Sequence, residues 1–171
     1  MRKMLFGLIA AGLALLGFAT AATADTTGAQ TFVIVFRGPG TTPVAAAYGP
    51  VAGVGTNVGE STVRGPGGTF TSVDRVVLPQ GSVVITNSGV HEQTMDERTC
   101  VATIREHGTV RFTGGTGAYA GATGSGTFDT PLGTVVGVRD SNGVCTLGPG
   151  SVGVVVIRVT GTITIPTTAA A

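Results

Sequence analysis

From residue 25 onward the chain alternates. Val, Ile and Phe recur at every second position over short stretches, with Thr, Ser or Arg between them, and Gly, Pro or Asn closes each stretch. A period of two places one set of side chains on each face of an extended strand. The 3.6-residue period of an amphipathic helix is almost absent. The dominance of Val, Thr and Gly disfavours helices further. Thr69 to Leu78 shows the pattern most clearly. Phe70, Ser72, Asp74, Val76 and Leu78 share one face, and Val73, Arg75 and Val77 share the other. Gly153 to Ile165 repeats it, with Val155, Ile157, Val159, Ile163 and Ile165 opposite Arg158, Thr160, Thr162 and Thr164.

Further strands are predicted over Thr31 to Arg37, Ser82 to Thr86, Thr99 to Glu106, Thr109 to Thr113, Gly126 to Thr130 and Thr134 to Asp140. A longer, glycine-broken segment covers Val44 to Thr62. Pro79-Gln80-Gly81 and Ser141-Asn142-Gly143 are turn signals. Gly108 is expected to form a bulge, and the polar stretch Asn87 to Arg98 a loop. About eight strands with short connections fit a sandwich or a closed barrel. Closure removes the exposed edges that invite aggregation.

The first 24 residues are of a different kind. Arg2 and Lys3 precede an uncharged apolar run, Met4 to Phe18, and Ala22-Thr23-Ala24 supplies the small residues a signal peptidase reads. Residues 1–24 are expected to be a cleavable signal peptide, helical in its apolar part, and residues 25–171 one secreted domain. The apolar run is short for a membrane span, which takes about 20 residues, and no Cys follows it to carry a lipid. No membrane association is expected after cleavage.

Charge adds an exclusion. The chain has 10 basic and 9 acidic residues, and Arg2 and Lys3 leave with the signal. The remainder is slightly acidic and holds no basic run. A nucleic-acid partner, which needs a phosphate-neutralising patch, is not expected. Lys3 is the only Lys, so every cation of the secreted part is Arg or His. With the Ala, Gly, Val and Thr richness this points to a GC-rich bacterial genome and to an extracellular bacterial protein. Export puts Cys100 and Cys145 in an oxidising space, where a disulfide persists. Two separate buried thiols are the alternative.

Residues 108 to 128 read GTVRFTGGTGAYAGATGSGTF. Clustered glycines permit positive φ and close backbone approach. Tyr119 can cover the turn with its ring, and Val110 and Phe112 supply one apolar face. This stretch resembles the hairpin signature of the dirigent and allene oxide cyclase barrel superfamily, in the positions Gly114, Gly115, Thr116, Gly117, Tyr119, Gly121, Ala122 and Gly124. The resemblance implies an all-β fold, a single antiparallel barrel of about eight strands. It also implies a homo-oligomer, often a trimer, and a lumen that binds small apolar molecules. Allene oxide cyclases steer ring closure, and dirigent proteins steer radical coupling without an oxidising centre of their own. No catalytic residue carries over, because the family's functional acids and bases lie on strands that cannot be matched here.

Other motifs lack their context. Gly148 to Gly153 fits a dinucleotide fingerprint as a pattern, but a Val-rich strand follows where a helix must hold the pyrophosphate. No Ser sits in a nucleophile elbow. His91 could join Glu92, Asp96 and Glu97 in a weak cation site; a solvated acidic loop is the favoured reading. No cofactor and no metal are expected. The strand charges carry more. Asp74, Arg75, Arg105, Glu106 and Arg111 fall within predicted strands, as does Arg158. Neighbours such as Asp74 and Arg75, or Arg105 and Glu106, cannot share a face, so some of these charges point into a lumen or its mouth. An inward acid–base pair could protonate or polarise a bound polyene or phenol. Ordinary cross-strand pairing on the outside is the alternative.

The leading expectation is a secreted barrel that binds a small apolar molecule and steers its cyclisation or coupling. Two other readings stay open: a cofactor-free isomerase or cyclase with an acid in the lumen, and a structural or surface-interaction barrel with a packed interior.

Overall fold

The computed structural model describes residues 24–167. The expected signal peptide lies outside the described residues except for Ala24. The domain is all-β. Its strands are β1 (Thr26–Phe36), β2 (Val44–Tyr48), β3 (Gly53–Arg64), β4 (Thr69–Leu78), β5 (Gly81–Asp96), β6 (Val101–Gly117), β7 (Thr123–Val136), β8 (Val138–Arg139), β9 (Cys145–Thr146) and β10 (Val152–Ile165). No helix among the described residues is long and apolar enough to cross a membrane.

Eight of these strands form a closed antiparallel barrel in the order β1-β10-β7-β6-β5-β4-β3-β2. Strands β1 to β7 follow one another as hairpins. β10 then returns to lie between β7 and β1, which closes the wall. β8 and β9 pair only with each other, as a small flap within the β7–β10 connection. Closure gives every strand of the wall a hydrogen-bonded neighbour on both sides, so no strand is left as a free edge.

Two sequence expectations are corrected. Asn87 to Arg98 is not a loop: β5 continues through Asp96, paired residue by residue with β6 from Asn87↔Val110 to Asp96↔Val101. The partner strand supplies the hydrogen bonds, so a polar composition does not prevent extension there. Thr99 to Glu106 and Thr109 to Thr113 are not separate strands either. From Val101 on they belong to the continuous β6, with Thr99 and Cys100 in the β5–β6 turn, and Gly108 is paired with Gly89 rather than bulged. The irregularities of β6 lie at Thr113, which is skipped between the pairs Val84↔Gly114 and Ile85↔Phe112, and between Thr103 and His107.

The alternation read in β4 and β10 sorts lumen from exterior. Phe32, Ile34, Val76, Val83, Ile85, Val110, Phe112, Phe128, Val159 and Ile163 form the buried interior. Burying each such side chain contributes about 1.5–3 kcal/mol. Outward positions carry Thr, Arg and exposed Val.

The two barrel ends differ. At one, the β2–β3, β4–β5 and β6–β7 turns meet. The Tyr119 hydroxyl reaches the Ala52 carbonyl at 3.2 Å and Gln80 Oε1 at 3.1 Å, linking all three turns. Its ring is buried, with Val51, Leu78 and Ala122. Gly117, at φ 60, makes the turn that presents it. Gln30, 1% exposed, locks the same end. Its Oε1 accepts from Val51 N at 2.9 Å and its Nε2 donates to Val51 O at 3.0 Å. The glycine-rich hairpin therefore builds a plug. The other end is open, and its rim carries the Cys100–Cys145 disulfide. The Arg139 guanidinium donates to the carbonyls of Glu97, Arg98 and Gly143, which binds the flap to the β5–β6 turn.

Candidate functional site

Above the packed plug the lumen is hollow. A cavity of about 140 Å³ opens toward the unplugged end. Its wall is apolar on one side, with Ile34, Phe36, Phe128, Ile157 and Val159. Phe70 and Phe128 meet there edge-on, ring centroids 5.9 Å apart. A second, mainly apolar pocket of about 270 Å³ lies at the mouth, between His91, Ile104, Val135, Leu147 and Val155. The two share Phe36, Glu106 and Ile157 in their walls. These three side chains stand between the lumen and the rim. The flap supplies Leu147 to that rim.

The opposite side of the cavity is polar and centres on Asp74. Ser72 Oγ donates to Asp74 Oδ2 at 2.9 Å, and Asn87 Nδ2 donates to the same oxygen at 2.6 Å. Asn57 Nδ2 donates to Asp74 Oδ1 at 3.3 Å. Asn87 Nδ2 also reaches Ser72 Oγ at 3.1 Å. The register explains the meeting. Asp74 stands opposite Gly59 on β3 and Ile85 on β5, Ser72 opposite Asn87, and Asn57 opposite Val76. Gly59 lacks the side chain that would fill the space beside the carboxylate; a Cβ there would stand 3.6 Å from Asp74 Oδ1. Asn57 is 4% exposed, and its Oδ1 has no hydrogen-bond partner. Turning the amide over would set that oxygen against the Asp74 carboxylate, so the orphan acceptor is held by the network itself.

Glu106 forms the junction between the cavity and the mouth. His91 Nδ1 lies 2.6 Å from Glu106 Oε1, and both side chains are 20% exposed. The pair sits directly across the β5–β6 ladder. The Glu106 amide donates to Thr130 Oγ1 at 3.0 Å, which fixes the backbone at this point. A carboxylate that holds one imidazole nitrogen leaves the other free for proton exchange.

No protein-family model, no curated protein and no solved structure matches this chain. The site therefore has to be read from its own chemistry.

The strand charges singled out in the sequence divide between the two faces. Asp74 and Glu106 point into the lumen. Arg75 and Arg105, their chain neighbours, point out. Arg75 Nε binds Glu60 Oε1 at 2.5 Å, and its Nη1 lies 3.3 Å from Ser82 Oγ. Arg105 lies on the outer surface beside Glu92, Thr94 and Thr103. Arg111 is exposed in a shallow outer trough with Thr109 and Ser125. Arg158 makes an exposed two-point contact with Asp129, at 3.1 and 3.0 Å. His91 faces the mouth while Glu92 stands on the outer surface, and no cluster of three or more metal-ligating side chains occurs among the described residues.

Asn57, Ser72 and Asn87 were not legible as site residues in the sequence. Ser72 shares its strand face with Asp74, which was a partial signal. Asn57 and Asn87 come from other strands, and only the barrel register brings them to the same carboxylate.

Proposed function

We propose that this protein is a secreted member of the dirigent and allene oxide cyclase-like barrels, and that its lumen binds a small, mainly apolar molecule with a hydrogen-bond donor at its buried end. One observation carries the reading: a hollow, aromatic-lined lumen whose wall presents two carboxylates as acceptors, Asp74 and Glu106. A carboxylate set in an apolar wall keeps lone pairs that a ligand hydroxyl or N–H can fill. The cavity is near the size of an engineered apolar cavity of roughly 150 Å³ that accepts benzene. It takes one ring or a short chain, and the remainder of a longer ligand lies in the mouth pocket. Bound so, the molecule is held in a single orientation, which is what steering a cyclisation or coupling requires.

A second reading, a cofactor-free isomerase or cyclase, is favoured by the His91–Glu106 pair at the junction. An imidazole oriented by a carboxylate is a suitable general base for moving a proton on a molecule threaded past it.

Native mass spectrometry of the disulfide-bonded protein, isolated from its producing cells without denaturation, tests the binding reading. The expected result is a non-covalent organic adduct. Ile157→Phe, which fills the shared wall, loses that adduct while retaining the fold. Protein that carries no adduct and leaves small phenols and terpenoid alcohols unbound in titration overturns the reading.

A further inference from the structure

The lumen wall carries two carboxylates with lone pairs to spare. Asp74 receives its three bonds from two neutral amides and a hydroxyl. The ion pairs among the described residues are Arg75–Glu60, His91–Glu106 and Arg158–Asp129, so the Asp74 charge meets no cation. Glu106 gives Oε1 to His91, and no donor among the described residues reaches its Oε2. Three phenyl rings, of Phe36, Phe70 and Phe128, stand in the same wall. The one arginine of that wall, Arg64, is exposed at the end of β3.

Each of these features discriminates. Carboxylates in an apolar wall repel an anionic ligand. A neutral hydroxyl can satisfy one acceptor but leaves the carboxylate charge uncompensated. A primary ammonium carries three donors and no acceptor, which matches a set of unfilled acceptors. Phenyl faces attract a cation through their quadrupole.

We propose that the lumen selects a small organic cation: a primary ammonium on an apolar body. Its N–H groups bond to the Asp74 carboxylate, and its body packs on Ile34, Ile85 and Ile157. The inference rests on the lumen-binding reading above and names the charge of the donor end.

The test compares three probes of near-equal size and different charge: phenethylammonium, phenethyl alcohol and hydrocinnamate. Each is titrated into the purified, disulfide-bonded protein by calorimetry, with amide chemical shifts locating the site. The ammonium is expected to bind at least about tenfold more tightly than the alcohol, equivalent to about 1.4 kcal/mol, and hydrocinnamate not to bind. Asp74→Asn and Glu106→Gln should each reduce the ratio of ammonium to alcohol affinity. Phe70→Leu, which keeps an apolar wall but removes a ring face, should reduce it further. These two other variants carry the test if Asp74→Asn does not fold. Equal affinity of ammonium and alcohol overturns the cation proposal while leaving lumen binding intact. Ammonium binding that is indifferent to all three variants puts the cation outside the lumen and overturns it as well. Failure of all three probes to bind overturns it too, and the retained-adduct experiment then decides the broader reading separately.

Discussion

Gly108 and Gly89 face each other across the β5–β6 ladder, and the Phe128 side chain packs over both from inside the barrel. A Cβ on Gly108 would lie 2.2 Å from the Ser88 carbonyl oxygen, 2.6 Å from Gly89 Cα and 2.9 Å from Phe128 Cε1. Two of those three neighbours are backbone atoms that cannot rotate away. Gly108→Ala must therefore part the two strands or push Phe128 into the lumen. Overpacking of this kind costs about 1–3 kcal/mol, and one weakened ladder bond adds about 1 kcal/mol. The ordinary gain of Gly→Ala through the unfolded chain, about 0.4–1 kcal/mol, acts in the opposite direction. The expected net loss is about 1–3.5 kcal/mol. Gly59→Ala is the control, since its new methyl would meet Asp74 Oδ1 at 3.6 Å, an ordinary contact. That substitution should change stability by no more than about 0.5 kcal/mol. Urea unfolding of the oxidised protein, followed by far-ultraviolet circular dichroism, measures both. In a double-mutant cycle, Phe128→Leu should recover part of the Gly108→Ala loss, because it removes the ring contact but not the carbonyl contact. A Gly108→Ala midpoint equal to that of Gly59→Ala would refute the packing argument.

The remaining predictions concern the two ends. Reducing Cys100–Cys145, which closes a separation of 45 residues, should lower stability by about 4 kcal/mol on the chain-entropy model; denaturant curves with and without reductant measure it. Gln30→Leu fills the same space but strands the Val51 N–H and C=O at the plug, so the same assay should show a loss of about 2–4 kcal/mol. Asp96 is held below the ordinary carboxylate value by the Arg98 backbone N–H and then by the Thr99 hydroxyl. A lowered folded value means this contribution is present above the unfolded value and is lost as pH falls through the folded one. Thr99→Ala should move the Asp96 titration back toward 3.8, read by carboxyl carbon shifts.

Much of the wall was legible because its residues repeat a local rule. The alternation in Thr69 to Leu78 and in Gly153 to Ile165 identified the faces that the barrel buries, and the glycine cluster identified the hairpin that became the plug. Asn87 to Asp96 was misread for a physical reason. A strand near an open mouth has little apolar matter to cover on either face, so it keeps a polar composition while its backbone is fully paired by β6. The segment Val44 to Thr62 was read as one broken element, and the structure divides it into β2 and β3 about a tight turn. Gln30 locks that turn through contacts 21 residues away in the chain.

The sequence by itself determined an all-β chain, the two-sided character of each long strand, and the rule that Asp74 and Arg75, or Arg105 and Glu106, look in opposite directions. Period-two alternation is a property of the extended backbone and needs no partner strand. Which member of each couple enters the lumen was decided only by closure, because curvature gives the sheet an inside. Closure and register also brought Asn57, Ser72 and Asn87 from three strands to one carboxylate, and set His91 against Glu106. Those contacts are made across strands, and cross-strand distance is written in the pairing of the sheet rather than in the order of the chain.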